Sequence, residues 1–208
     1  ADEKLLKRCI ELARRHDFVL LLDECYAEIY NDEPPVGGLE VCAALGGSMK
    51  NVVTFHSLSK RSSAPGLRSG FVAGDPDILS VFGSFRDYAS AVQPMPIMAV
   101  STMLWNDDEH VVLNRELYRK KFALADRILG QKPGYYTPPG GFFLWLDVGD
   151  SVEVTKRLWM EQGVRVLPGA YLTQPTTGSN PGAPYIRLAL VQDLDSTERA
   201  LEKVARVI

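Results

Sequence analysis

A chain of 208 residues, 46% hydrophobic and 24% charged, has the make-up of a folded protein of one or two domains, which excludes a disordered or fibrous chain. A net charge of −3 gives no basic surface for nucleic acid or an anionic membrane, and no apolar run approaches the roughly 20 residues of a membrane span. Cys9, Cys25 and Cys42 lack metal-ligand spacing and cannot all pair, and the charged amino terminus has no signal-peptide core, so a reduced, cytoplasmic protein without a metal is expected.

Helix and strand signals alternate along the chain. Leu5, Leu6, Cys9, Ile10, Leu12 and Ala13 recur at helical spacing over residues 2–15, and an apolar strand over 18–22 runs into Asp23. Residues 31–50 read as a loop with a short helix over 39–45, and a strand over 52–56 leads to a polar, glycine-bearing loop that carries Lys60. A buried strand over 70–74 precedes a helix from Pro76 to Ala91, and Pro94 and Pro96 punctuate before a helix ending near Trp105. Then come a long helix over 111–129, a strand over 142–146, a helix over 152–162 and a short strand over 164–167. A loop over 168–184 leads to a strand over 185–191, and Asp195 or Ser196 caps a final helix to Val207. The fold class is α/β: residues 1–110 form part of a large domain with a mostly parallel or mixed sheet under helices, and residues 111–208 form a small α+β domain.

The chemistry collects where two of these strands end. Ligands of open α/β sheets gather at the carboxyl ends of strands. One strand ends in Asp23-Glu24-Cys25-Tyr26, the other in Ser57-Leu58-Ser59-Lys60, with Arg68 eight residues on. An amine for an aldehyde, hydroxyls and an arginine for a phosphate, and a carboxylate with a phenol make the inventory of a pyridoxal-phosphate site. Taken singly, Lys60 and Arg68 read as solvated charges, Asp23 as a cap and Tyr26 as a rim aromatic; the combination carries the reading. His56 reads as a core or loop histidine, and His16 and His110 as surface residues flanking helices.

Those two clusters, followed by Tyr185-Ile186-Arg187-Leu188-Ala189-Leu190, resemble the fold-type I aminotransferases of classes I and II. The stretches from His56 to Gly74 and from Val166 to Arg187 look most like bacterial succinyldiaminopimelate aminotransferases, although branches acting on other amino acids share much of that text. The resemblance implies a PLP-dependent transferase-like fold with pyridoxal 5′-phosphate as cofactor and a homodimer in the full-length form. Lys60 would form the Schiff base and carry the proton, while Asp23, Tyr26, Ser57, Ser59 and Arg68 would hold the cofactor. Arg187 would grip the substrate carboxylate, the residue alternation alone leaving its face open. Arg61 and Lys156 are candidates for a further substrate carboxylate.

The implied reaction is amino-group exchange between an amino acid and a 2-oxo acid, with N-succinyl-diaminopimelate and glutamate as the pair, in lysine biosynthesis. Family chains are close to twice as long, and the upstream phosphate loop, the ring-stacking aromatic and the asparagine-bearing turn are not in this sequence. The chain therefore reads as the carboxyl-terminal portion. The alternatives are a catalytically incompetent piece that only folds or dimerises, and an aminotransferase for another amino acid.

Overall fold

Asp2 accepts the Leu5 N–H at 2.7 Å and starts α1 (Glu3–His16), whose last turn carries Arg14, Arg15 and His16 against the negative helix end. The computed structural model describes residues 2–89, 92–176 and 178–208. Packing divides the chain into two units, Ala1–Arg115 and Glu116–Ile208.

In the first unit α1 buries Leu6, Ile10 and Ala13. It ends on Asp17 in the left-handed region (φ 53), and the Phe18 N–H still bonds to Ala13. The strand expected from residue 18 therefore starts later, as β1 (Leu20–Asp23). A short α2 (Gly38–Ala44) and β2 (Val52–Ser57) follow. Leu6, Ile10, Val41, Cys42 and Val52 form the core of this unit. Lys60 lies not in a loop but in a one-turn helix, α3 (Leu58–Arg61), which Ser57 caps by accepting the Ser59 N–H. After a 3-10 turn at Pro65–Leu67 the chain returns as β3 (Gly70–Gly74).

The sheet order is β1-β2-β3, parallel between β1 and β2 and antiparallel between β2 and β3, so the sheet is mixed. β3 is less buried than its apolar text suggests, because Gly70 and Phe71 are exposed and only Gly74 is buried. Next come α4 (Pro76–Ala89) and α5 (Met95–Trp105). The last two residues of the helix expected to reach Ala91 lie outside the described residues. Pro96 sits inside the first turn of α5, where no amide partner is needed.

The division between the units falls within α6 (Glu109–Leu129). The second unit adds β4 (Phe143–Asp147), α7 (Ser151–Gln162), β5 (Leu167–Pro168), β6 (Tyr185–Ala189) and α8 (Leu194–Ala205). Its sheet is antiparallel with order β4-β6-β5. Leu144, Leu146, Leu158, Ile186, Leu188 and Leu201 fill the core beneath it. The strand expected over 164–167 shrinks to two residues, because the Val164 N–H bonds to Leu158 at the end of α7.

Asp193, rather than Asp195 or Ser196, caps α8 by accepting the Ser196 N–H at 2.8 Å. Most of the expected 168–184 loop is present and includes a 3-10 turn at Gly169–Tyr171; Thr177 lies outside the described residues. Among the described residues no helix is long and apolar enough to cross a membrane.

Candidate functional site

β1 and β2 run parallel with Asp23 opposite Phe55, so both strands end at the same side of the sheet, β2 two residues later than β1. Asp23 accepts the Cys25 N–H at 3.1 Å, and bonds to the Cys25 side chain and backbone hold its carboxyl below the usual range. That makes Asp23 a carboxylate at neutral pH, suited to a protonated ring nitrogen. The Cys25 thiol is pushed up to about 11 by burial and by Asp23, while the charge on Lys60 pulls the other way. Lys60 Nζ lies 5.6 Å from the centre of the Tyr26 ring. Ser57 Oγ and Ser59 Oγ are 2.9 Å apart, and Ser57 also bonds to the Ser69 carbonyl at 3.3 Å.

Asp23, Tyr26, Ser57, Ser59 and Lys60 thus share one strand-end cluster. Arg68 is exposed and in the left-handed region (φ 51), with its guanidinium on the Pro65 carbonyl at 2.9 Å, next in the chain to Ser69, whose carbonyl Ser57 holds. Ionised carboxylate, phenol, amine and paired hydroxyls are a donor set that fits pyridoxal 5′-phosphate.

In the second unit the alternation of β6 resolves: Ile186 and Leu188 are buried, so Arg187 occupies the other face, where its guanidinium lies 5.5 Å from the Phe143 ring centre. It helps line an open cleft of about 570 Å³ together with Arg165, Arg199 and Lys203. Gly169 permits a close backbone approach, since a Cβ there would stand 2.5 Å from the Gly182 carbonyl and 2.6 Å from that of Tyr185.

Several contacts have no counterpart in the sequence reading. Glu24 Oε2 is 3.0 Å from His56 Nε2, and its other oxygen accepts the Gly38 N–H at 2.6 Å, joining β1, β2 and the start of α2. His56 also stacks on Phe71 (4.8 Å between ring centres), so it is neither a plain core nor a loop residue. His110, expected at the surface, is half-buried and bonds to Asp107 at 2.7 Å and to Ser62 at 2.8 Å. Arg61, a candidate for a substrate carboxylate, is instead buried, with its guanidinium on the Leu104 carbonyl. Lys156 is exposed on α7. A glutamate and a histidine at adjacent strand ends are the only signal in the sequence for the Glu24–His56 pair.

This fold and strand-end cluster define a pyridoxal-phosphate-type α/β protein. The chain belongs to the aminotransferase class I and II family, whose model matches residues 1–204, and that family depends on pyridoxal 5′-phosphate. Among solved structures it is similar to an aminotransferase from Neisseria meningitidis, with 39% identity and a TM-score of 0.94, over 99% of this chain and 53% of that one. A probable N-succinyldiaminopimelate aminotransferase from Thermus thermophilus matches with 26% identity and a TM-score of 0.84, over 100% of this chain and 55% of that one. The 4-dedimethylamino-4-oxo-anhydrotetracycline transaminase OxyQ of Streptomyces rimosus is 31% identical, over 97% of this chain and 54% of its own length. The chain thus spans about half the length of the curated relatives it matches.

Proposed function

We propose that the protein works as an aminotransferase in which Lys60 is the amine that holds the cofactor and moves the proton. The observation that carries this is Lys60 in the helical turn that follows β2, with its amine 5.6 Å from the centre of the ring of Tyr26, three residues beyond the ionised Asp23. Bound there, pyridoxal 5′-phosphate supplies an aldehyde and an electron-accepting ring. Asp23 would hold the ring nitrogen in its protonated form, and the Tyr26 phenol would supply a hydrogen bond to the ring's oxygen substituent. Ser57 and Ser59 would donate their hydroxyls to the phosphate, and Arg68, now on the Pro65 carbonyl, would supply a guanidinium for that dianion. Lys60 Nζ would take the proton from the substrate α-carbon and deliver it to the cofactor's former aldehyde carbon, the transfer that amino-group exchange requires. Arg187 presents a planar fork to the α-carboxylate.

For substrate we favour N-succinyl-diaminopimelate with glutamate as amino donor, in lysine biosynthesis. The likeness to the Thermus thermophilus protein supports this. The same reading makes residues 1–110 part of the large cofactor-binding domain, 111–208 the small domain, and the full-length form a cytoplasmic homodimer.

Incubation with pyridoxal phosphate, borohydride reduction and peptide mapping test the site: label on Lys60 supports it, and label spread over exposed lysines refutes it. Amino transfer from glutamate to the 2-oxo partner of N-succinyl-diaminopimelate tests the substrate, and Lys60→Ala must abolish it.

A further inference from the structure

Arg61, the neighbour of Lys60, has a guanidinium committed on every side. One terminal nitrogen donates to the Leu104 carbonyl at 2.7 Å, in the last turn of α5, and to the Asp107 carbonyl at 3.3 Å, in the link to α6. The other pairs with the Asp108 carboxylate, and Nε lies 4.0 Å from Glu28. The group sits 5.3 Å from the centre of the Trp105 ring, and the side chain is only 8% exposed. So deeply buried and so placed, this fork serves protein groups rather than a substrate carboxylate.

The same junction grips the residues around it. Asn114 donates to the Lys60 carbonyl at 3.2 Å and accepts from Ser63 at 3.1 Å, while His110 holds Ser62 at 2.8 Å. Ser63 adopts a left-handed conformation (φ 49) that a residue with a side chain keeps only when its surroundings impose it. A helix of one turn does not persist by its own hydrogen bonds. In α3 the Ser62 and Ala64 N–H groups both lean on the Leu58 carbonyl.

We propose that Arg61 is a positioning residue: by locking α3 to the α5–α6 junction it fixes the point from which Lys60 reaches the cofactor. This rests on the reading of Lys60 given above. A lysine at 61 supplies one point charge and cannot reproduce a fork with four partners.

The test compares the parent chain with Arg61→Lys and, as a milder lesion, Asn114→Ala. Without cofactor, amide exchange at Ser62 and Ala64 should accelerate about tenfold or more in Arg61→Lys, and less in Asn114→Ala. Pyridoxal-phosphate affinity should fall about tenfold, with little change in the amino-acid concentration that half-saturates transfer. Unchanged exchange would overturn the proposal. So would intact cofactor affinity with a raised half-saturating concentration, which would make Arg61 a substrate ligand. Borohydride label away from Lys60 in the parent would overturn the reading of Lys60 and this role with it; the cofactor-free exchange result distinguishes that failure from a failure of Arg61.

Discussion

Replacing Glu24 probes how the strand-end cluster is held. Its carboxylate accepts the Gly38 N–H at 2.6 Å and faces His56 at 3.0 Å. Gly38 is buried, so its N–H depends largely on this carboxylate for an acceptor. A hydrogen bond to a charged group contributes about 1.5–3 kcal/mol. The His56 contact, with side chains 27% and 16% exposed, adds about 1 kcal/mol at most. Glu24→Ala should therefore destabilise the ends of β1 and α2 by about 1.5–4 kcal/mol, equivalent to roughly 12- to 700-fold faster amide exchange. Glu24→Gln keeps an oxygen for Gly38 and should lose about 1 kcal/mol or less. Exchange read on peptides covering residues 20–26 and 38–45 is the suitable assay, because a chain of two units need not unfold in one step. Exchange in Glu24→Ala within about threefold of the parent, or Glu24→Gln as damaging as Glu24→Ala, would refute the reasoning.

With its thiol pushed up to about 11, Cys25 should be alkylated slowly at pH 8, its rate rising about tenfold per unit to pH 10; a rate that levels off below pH 9 contradicts that environment. Asp75 and Asp193 sit below the usual carboxyl range chiefly because they accept the backbone N–H groups of Asn51 and Ser196. Their stabilisation is complete above the unfolded value of about 3.9 and is lost as pH falls through the lower folded values. Urea midpoints should accordingly drop below about pH 4, and Asp75→Asn or Asp193→Asn should flatten that drop; an acid limb untouched by both refutes the assignment. Leu144, fully buried in β4, should lose about 2–5 kcal/mol on truncation to alanine, read as faster exchange at residues 143–147; a change under about 1 kcal/mol would mean the second unit repacks freely.

Much of the fold was legible because its signals are local. Apolar spacing in α1, the runs of β1 and β2, and the alternation of β6 each lie within a few residues. What the sequence concealed depends on partners that the local pattern does not name. Val164 reads as strand, yet Leu158 claims its N–H, and Phe18 reads as strand, yet the end of α1 claims its own. Asp193 rather than Asp195 caps α8 because the Ser196 N–H is the orphan donor within its reach. Three acidic or hydroxyl residues in four positions leave that choice to the backbone.

The site divides in the same way. That Asp23, Tyr26, Ser57, Ser59 and Lys60 follow the same ends of two paired strands was readable, because neighbouring parallel strands deliver their carboxyl ends to one side. The role of these residues is the proposal above. Arg61 was not, because its partners Leu104 and Asp108 lie 43 and 47 residues downstream. In a loop, Lys60 and Arg61 would be two solvated cations with interchangeable prospects. Ser57 as cap and the fully buried Leu58 wind that stretch into α3 instead. Successive side chains on a helix diverge by about 100°. One turn is thus enough to send the arginine inward as an anchor while the next side chain round, Lys60, leaves toward Tyr26. The conversion of a polar loop into a single helical turn is what separates the chemistry of these two adjacent basic residues.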